Sequence, residues 1–580
     1  MQSEKYKKRA RKLDFKVRMM FDDEDANVIA ILELIDSLQQ LGLGYRFEKE
    51  IVRTLDEINS MEGLEENVHA TALRFRLLRQ HGFKVSEDVF KSCTDHKGGS
   101  VACTQKDVQG LLSLYEASFL GSDEETLLDE AKSYAKVHLE DVKNYTGTSL
   151  REKVYHALEM PLHHRMQRLE ARWYIDAYTK KEDANHLLLE LAMLDFNMVQ
   201  AAHQKDLQHV SRWWKSLGLA SNLGFIRDRL MECFFWTVGV TSEPHFSTCR
   251  IGLTKVTALI TTIDDVYDVY GSLDELQLFT EAIERLVSYN NSVLSSGEVE
   301  SHLTFPEFAS LTSLHKMSEI EFSRAKGRRV NNNFKMGFVF LRWDIDSVER
   351  LPDYMKFCFL ALYNTVNEMA YDTLKEQGVY SLPILTNMWK DMCQAFLVEA
   401  KWNSDKYTPT LDDYLDNAWR SVSGVVILGH AYFLTSRNVT QEEMECLQNY
   451  HDLLKWSSMI FRLCNDLGTS TAEIERGETA NSIRCYMTET GFSEELAREH
   501  IKSLVDEAWK KMNKYLVDDS PFPKTFIERA INLARIAQCT YQYGDGHGAP
   551  DTRSKNRITL QGLIPDQHWQ SLTYRITNVD

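Results

Sequence analysis

Leu259-Ile260-Thr261-Thr262-Ile263-Asp264-Asp265-Val266-Tyr267-Asp268-Val269-Tyr270 sets carboxylates into a segment that otherwise reads as buried helix. Asp264, Asp265 and Asp268 stand at i, i+1 and i+4, clustered towards one face. Carboxylates in apolar surroundings are costly unless paired or bound to a cation. Hard divalent cations take oxygen ligands, and Mg²⁺ commonly bridges one or two carboxylates to a substrate's phosphates. Alone, the motif divides evenly between a metal site and a solvated acidic turn at a helix end.

A second stretch breaks the tie. In Arg462-Leu463-Cys464-Asn465-Asp466-Leu467-Gly468-Thr469-Ser470-Thr471-Ala472-Glu473, the residues Asn465, Thr469 and Glu473 fall at i, i+4 and i+8, along one helical stripe. Amide, hydroxyl and carboxylate together suit a Mg²⁺ ion that keeps waters and phosphate oxygens. Glycine inside a helix costs about 1 kcal/mol relative to alanine, so Gly468 points to a close approach by another element. Upstream, Arg227-Asp228-Arg229 supplies guanidinium forks that match phosphate oxygens. Trp236, in Cys233-Phe234-Phe235-Trp236, offers a ring face that can hold a cation, although such an aromatic run also serves as plain core.

Composition sets bounds. A chain of 580 residues with 43% hydrophobic content can bury two large cores. Only 27 glycines and 10 prolines favour helix. A net charge of -18 argues against a nucleic-acid partner, and no apolar run approaches membrane-spanning length. The ten cysteines form no CxxC pair, which predicts free thiols. Leu32, Ile35, Leu38 and Leu41 form one amphipathic stripe, and Leu73, Leu77 and Leu78 another. Thr54-Leu55-Asp56 and the Gly98-Gly99 region read as connections.

With both oxygen-rich motifs in this order, the chain resembles the plant class I terpene synthases, most of all the angiosperm monoterpene synthases. Further likeness lies in Leu32-Glu33-Leu34-Ile35-Asp36, Ala72 through Gln80, Leu114 through Phe119, Ser211-Arg212-Trp213-Trp214 and Gly544-Asp545-Gly546-His547-Gly548. The resemblance implies an all-α fold of two helical domains, an amino-terminal barrel over 1–185 and a catalytic bundle over 186–580. It implies a carbon–oxygen lyase that ionises geranyl diphosphate with Mg²⁺ or Mn²⁺ (three ions in the family's pattern) and forms an acyclic or simple cyclic monoterpene. Asp264, Asp268, Asn465, Thr469 and Glu473 would hold metal, with Asp265 a nearby acid. Arg227, Arg229 and Arg462 would bind diphosphate beside Asp264, Asp268 and Asn465. Trp236 and Tyr541 would wall the cavity, and Asp545 would order a lid or make a turn. The partner is a small prenyl diphosphate, and the oligomeric state expected is a monomer or weak homodimer. A sesquiterpene synthase using farnesyl diphosphate is the alternative, and an inactive product of a faulty gene model is another. A chain-elongating prenyltransferase would show a second aspartate-rich motif where Asn465 through Thr469 stands.

The chain departs from the family pattern in several places. Asn465 follows Asp264 by about 200 residues, roughly fifty more than the family's spacing, which marks an insertion rather than a normal loop. Residues 286–342, rich in Ser, Asn and Phe and without helical periodicity, read as a retained intron or as a surface loop. The family text resumes at Trp343-Asp344-Ile345-Asp346. No transit peptide or tandem-arginine motif is legible at Met1-Gln2-Ser3-Glu4, and Lys7-Lys8-Arg9-Ala10-Arg11-Lys12 is a basic helix face. The family links that motif to isomerisation before cyclisation, which weighs against cyclic products. Resemblance implies a chloroplast location, with the cytosol as alternative. The tail 557–580 is atypical, and Asn481 stands where some relatives carry a lysine to the diphosphate.

Overall fold

The computed structural model describes residues 2–23, 26–61, 67–91, 107–142, 148–295, 348–476 and 480–556. Every regular element among them is helical. The stripe in the Val28–Gln40 helix buries Leu32, Ile35 and Leu38, and Asn27 caps that helix by accepting from Ala30 N–H. Leu73, Leu77 and Leu78 are buried from the Val68–Gln80 helix. Thr54-Leu55-Asp56 is not a connection: it lies inside the Glu48–Asn59 helix, where Thr54 and Leu55 pack inward beside Ile51 and Ile58. The many polar residues of that helix, Thr54 among the buried ones, blurred its period. The Gly98-Gly99 region lies outside the described residues.

Two apolar cores serve the amino-terminal half, and one large core serves the rest. The helix His186–Leu217 bridges them. Asn185 starts it by accepting from the N–H groups of Leu187 and Leu188, and Gly218 ends it at φ 73°, a left-handed cap that favours glycine. Leu188 through Phe196 pack into the amino-terminal core, whereas Val210 and Trp214 pack into the carboxyl-terminal one. Arg46 joins Asp14 to Asp195 on this helix.

The Leu273–Ser295 helix runs past residue 286, so the first ten residues of the atypical stretch continue a helix. The remainder of 286–342, Trp343 through Asp346 and the tail 557–580 lie outside the described residues. No described helix is long and apolar enough to cross a membrane, and the eight described cysteines are free thiols.

Candidate active site

The Ser247–Asp265 helix is apolar and threonine-rich, and it is buried along most of its length. It runs into one π-helical turn, Val266–Tyr270. The three acids therefore meet three environments. Asp265 is wholly buried, Asp264 keeps 32% of its side chain exposed, and Asp268 is exposed. Arg227 spans the first two. Its backbone N–H donates to Asp265 Oδ2 at 2.6 Å, its Nε to Asp265 Oδ1 at 2.5 Å and its Nη2 to Asp264 Oδ2 at 2.6 Å. Burial pushes the Asp265 carboxyl up, and the Arg227 charge opposes that rise.

Arg229 Nη2 donates to Gly548 O at 2.8 Å, which ties the 544–548 loop to the arginine pair. Asp545 makes the turn expected of it: Oδ1 accepts from the N–H of His547 and of Gly548. A Cβ on Gly548 would stand 2.5 Å from Asp545 Oδ2 and 2.8 Å from Arg227 Nη1, so a side chain there would displace the Asp545 carboxylate or the Arg227 guanidinium. His547 Nε2 lies 3.1 Å from Thr261 Oγ1, whose own proton goes to Thr257 O. Nε2 is then the donor, and the buried Nδ1, which has no partner among the described residues, carries the lone pair. Burial first, and the Arg227 charge second, hold this imidazole down to about 4.

The Asp452–Arg476 helix carries Asn465, Thr469 and Glu473. Thr469 Oγ1 donates to Asn465 O at 2.9 Å. Asn481 caps the Ser482–Thr490 helix by accepting from Arg484 N–H, and its Nδ2 donates to Glu473 Oε2 at 3.3 Å. The residue in the lysine position thus positions a carboxylate. Arg462 donates Nε to Ala418 O and Nη2 to Ser421 Oγ, while its Nη1 reaches Asn465 Oδ1 only at 3.4 Å. Glu399 lies 3.8 Å from it and Asp466 3.7 Å. Tyr414 OH donates to Asp466, and Ser421 Oγ donates to Glu399 at 2.5 Å. Burial pushes both carboxyls up, against the pull of Arg462.

Between these groups stands an aromatic wall. The Trp236 ring is 4.5 Å from Phe461, 6.1 Å from Tyr541 and 6.3 Å, edge-on, from His547. The Lys524–Tyr541 helix packs against both the Leu230–Val240 and Asp452–Arg476 helices. It closes tightly on the latter: a Cβ on Gly468 would meet Tyr541 Cβ at 3.0 Å and Gly544 O at 3.1 Å. That is the close approach expected of Gly468.

Among the described residues no three His, Cys, Asp or Glu side chains converge as a ready metal cage. The donors that could hold Mg²⁺ are the aspartates of one helix and the amide, hydroxyl and carboxylate of the other. Such sparse oxygen sets fit a cation completed by water and phosphate. Glu399, Tyr414, Phe461 and the base character of His547 escaped the sequence reading. No local pattern marks Glu399 or Tyr414, which meet Arg462 only through the fold. Phe461 directly precedes Arg462, but an aromatic in a helix reads first as core.

Two family models match the chain: "Terpene synthase, N-terminal domain" over residues 1–158, and "Terpene synthase family, metal binding domain" over 215–335 and 335–511. A probable terpene synthase of Ricinus communis is 51% identical over 95% of this chain and 85% of its own. A chloroplastic tricyclene synthase of Medicago truncatula is 50% identical over 97% of this chain and 88% of its own. The crystal structure of isoprene synthase from grey poplar (Populus x canescens), in complex with three Mg²⁺ ions and dimethylallyl-S-thiolodiphosphate, superposes with a TM-score of 0.83 at 48% identity, covering 97% of each chain.

Proposed function

This chain belongs to the terpene synthase family, and we propose that within it the chain converts geranyl diphosphate into a monoterpene, acyclic or simply cyclic, with release of diphosphate. The family's members are lyases acting on prenyl diphosphates. The observation that carries the substrate reading is the single aromatic wall of Trp236, Phe461 and Tyr541, set between two groups of oxygen donors that each have an arginine beside them.

Divalent metal, held by Asp264 and Asp268 on one helix and by Asn465, Thr469 and Glu473 on the other, would supply Lewis-acid stabilisation of the departing diphosphate. The protein's own groups do the rest. Arg227 keeps Nε on Asp265 and presents Nη2 where a phosphate oxygen can replace Asp264 Oδ2. Arg462, braced by Ala418 O and Ser421 Oγ, presents its loosely bound Nη1 to the same anion. Arg229 acts through the loop it holds. The buried rings exclude water and face the allylic cation, each contact contributing about 0.5–2 kcal/mol. His547 Nδ1 is a neutral acceptor for the proton that ends the reaction.

A five-carbon reading has its own support. Phe461 lies tilted 4.5 Å from Trp236 and stacks on Tyr541, adding a bulky ring to the wall, and the poplar enzyme of 48% identity is an isoprene synthase. By likeness to the chloroplastic tricyclene synthase the chain acts in the plastid. Incubation with Mg²⁺ and, separately, geranyl, dimethylallyl and farnesyl diphosphate, followed by gas chromatography–mass spectrometry, decides the substrate. A C10 product at the highest kcat/KM supports the proposal, whereas isoprene as main product replaces it with the five-carbon reading. Preference for farnesyl diphosphate sinks both.

A further inference from the structure

A cavity of about 300 Å³ lies away from the aromatic wall, at the junction of the amino- and carboxyl-terminal halves. Basic side chains reach it from four helices or turns. Three of them are matched by acids: Arg76 with Asp36 at 2.6 Å, Arg165 with Glu170 at 3.0 Å, and Arg529 with Glu243 at 2.9 Å.

Two are not. Arg168, only 5% exposed, gives Nε and Nη2 to Gln200 Oε1 and Nη2 also to Phe196 O, and its guanidinium lies 3.5 Å over the Phe196 ring. Arg535 gives Nε to His163 O at 2.7 Å and Nη1 to Asn532 Oδ1 at 2.9 Å. Every one of these acceptors is neutral. Arg168 Nη1 and Arg535 Nη2 have no acceptor among the described residues. The bond to His163, five residues before Arg168, brings the two arginines to the cavity from adjoining segments. Gln39 Nε2 donates to His81 Nε2, so the buried His81 Nδ1–H is a third donor without an acceptor. Lys524 stands at the exposed rim, where it donates to His81 O. Facing them, Glu48 lies at the rim and Glu528 two turns before Arg535 on the same helix.

Asp195, already held by Arg46, and Glu528 act on Arg168 and Arg535 from a distance, but neither forms an ion pair with them; a planar fork with a spare N–H matches oxyanions. We propose that this junction cavity is a binding site for a phosphate-class oxyanion, inorganic phosphate or diphosphate, seated on Arg168 and Arg535. Burial pulls both guanidinium groups down to about 10, against the opposing pull of Asp195 on Arg168 and of Glu528 on Arg535, and both stay charged at neutral pH. The site stands independently of the substrate reading above. It also has a route to the reaction: the helix that carries Arg535 ends at Tyr541 in the aromatic wall.

The test is calorimetric titration of the full chain in metal-free buffer, with phosphate and diphosphate as separate titrants. Wild type is expected to take up one ion saturably, and the arm that binds more tightly identifies the source. Arg535→Gln should weaken phosphate uptake at least tenfold, whereas Arg462→Gln, beside the Asn465 stripe and outside this cavity, should leave it within twofold. Glu528→Gln removes the opposing acid with little change of shape and should tighten uptake severalfold, which keeps the test sound if Arg535→Gln does not fold. No saturable uptake by wild type overturns the proposal. So does uptake that Arg462→Gln abolishes while Arg535→Gln and Glu528→Gln leave it unchanged.

Discussion

Asp265 accepts both the backbone N–H and the side-chain Nε of Arg227, and so fixes the guanidinium against the helix that carries Asp264. Asp265 is therefore placed to position an arginine rather than to meet solvent or metal. Asp265→Asn keeps the shape and removes the charge. Turnover should fall about a hundredfold, the scale of a 1 Å misplacement near reacting groups. The Mg²⁺ concentration for half-maximal rate should shift far less than in Asp264→Asn. Equal shifts in the two variants would make Asp265 a metal ligand.

Removal of divalent metal should abolish product, and added Mg²⁺ or Mn²⁺ should restore it. Asp264→Ala and Glu473→Ala should each stay below detection at any metal concentration. Asn481→Ala, which frees Glu473 from its 3.3 Å tether, should instead raise the metal requirement while retaining turnover. Steady-state rates across a Mg²⁺ series separate these cases.

Phe461 lies 4.5 Å from Trp236 and is 7% exposed. Phe461→Ala should deepen the cavity and raise kcat/KM for the longer diphosphate relative to the shorter by about tenfold, since one methylene in an apolar pocket is worth about 1–3 kcal/mol. An unchanged ratio in a competition assay would remove Phe461 from the cavity wall.

Gly468→Ala would press a methyl against Tyr541 Cβ and Gly544 O. Overpacking of this kind costs about 1–3 kcal/mol. A lower Tm is expected, together with a loss of rate larger than stability explains, because the 544–548 loop must shift away from Arg227 and Arg229.

His547 binds a proton in the folded chain only below about 4, whereas an ordinary histidine does so below about 6.5. Between those values the unfolded chain holds the extra proton, so this residue's contribution lowers stability as pH falls through that window. His547→Gln should flatten the slope of unfolding free energy against pH there by one proton's worth. It should also slow the proton-loss step, read as altered product ratios at neutral pH. An unaltered slope would mean that the imidazole is already protonated in the fold.

Much of this is legible in the sequence. The stripes through Leu32 and Leu73 and the glycine at 468 follow from helical period and propensity. The acids were legible as residues but not as environments, because a helix wheel cannot foresee the π-helical turn at Val266 that leaves Asp265 inside and Asp268 outside. Residues 286–295 lacked visible period yet extend a helix from Leu273, whose stronger amphipathic start carries the backbone onward. Glu399, Tyr414 and His547 gain meaning only from neighbours distant in sequence, Arg462 for the first two and Thr261 for the third.

The helix His186–Leu217 has a wider consequence. Because one rod is driven into two cores, neither half is a module that can be cut away at residue 185 and expressed whole. An amino-terminal fragment would lose Leu188 through Phe196, and a carboxyl-terminal one would expose them to solvent. Swaps of the amino-terminal half between relatives will transplant cleanly only if the crossover falls beyond Phe196.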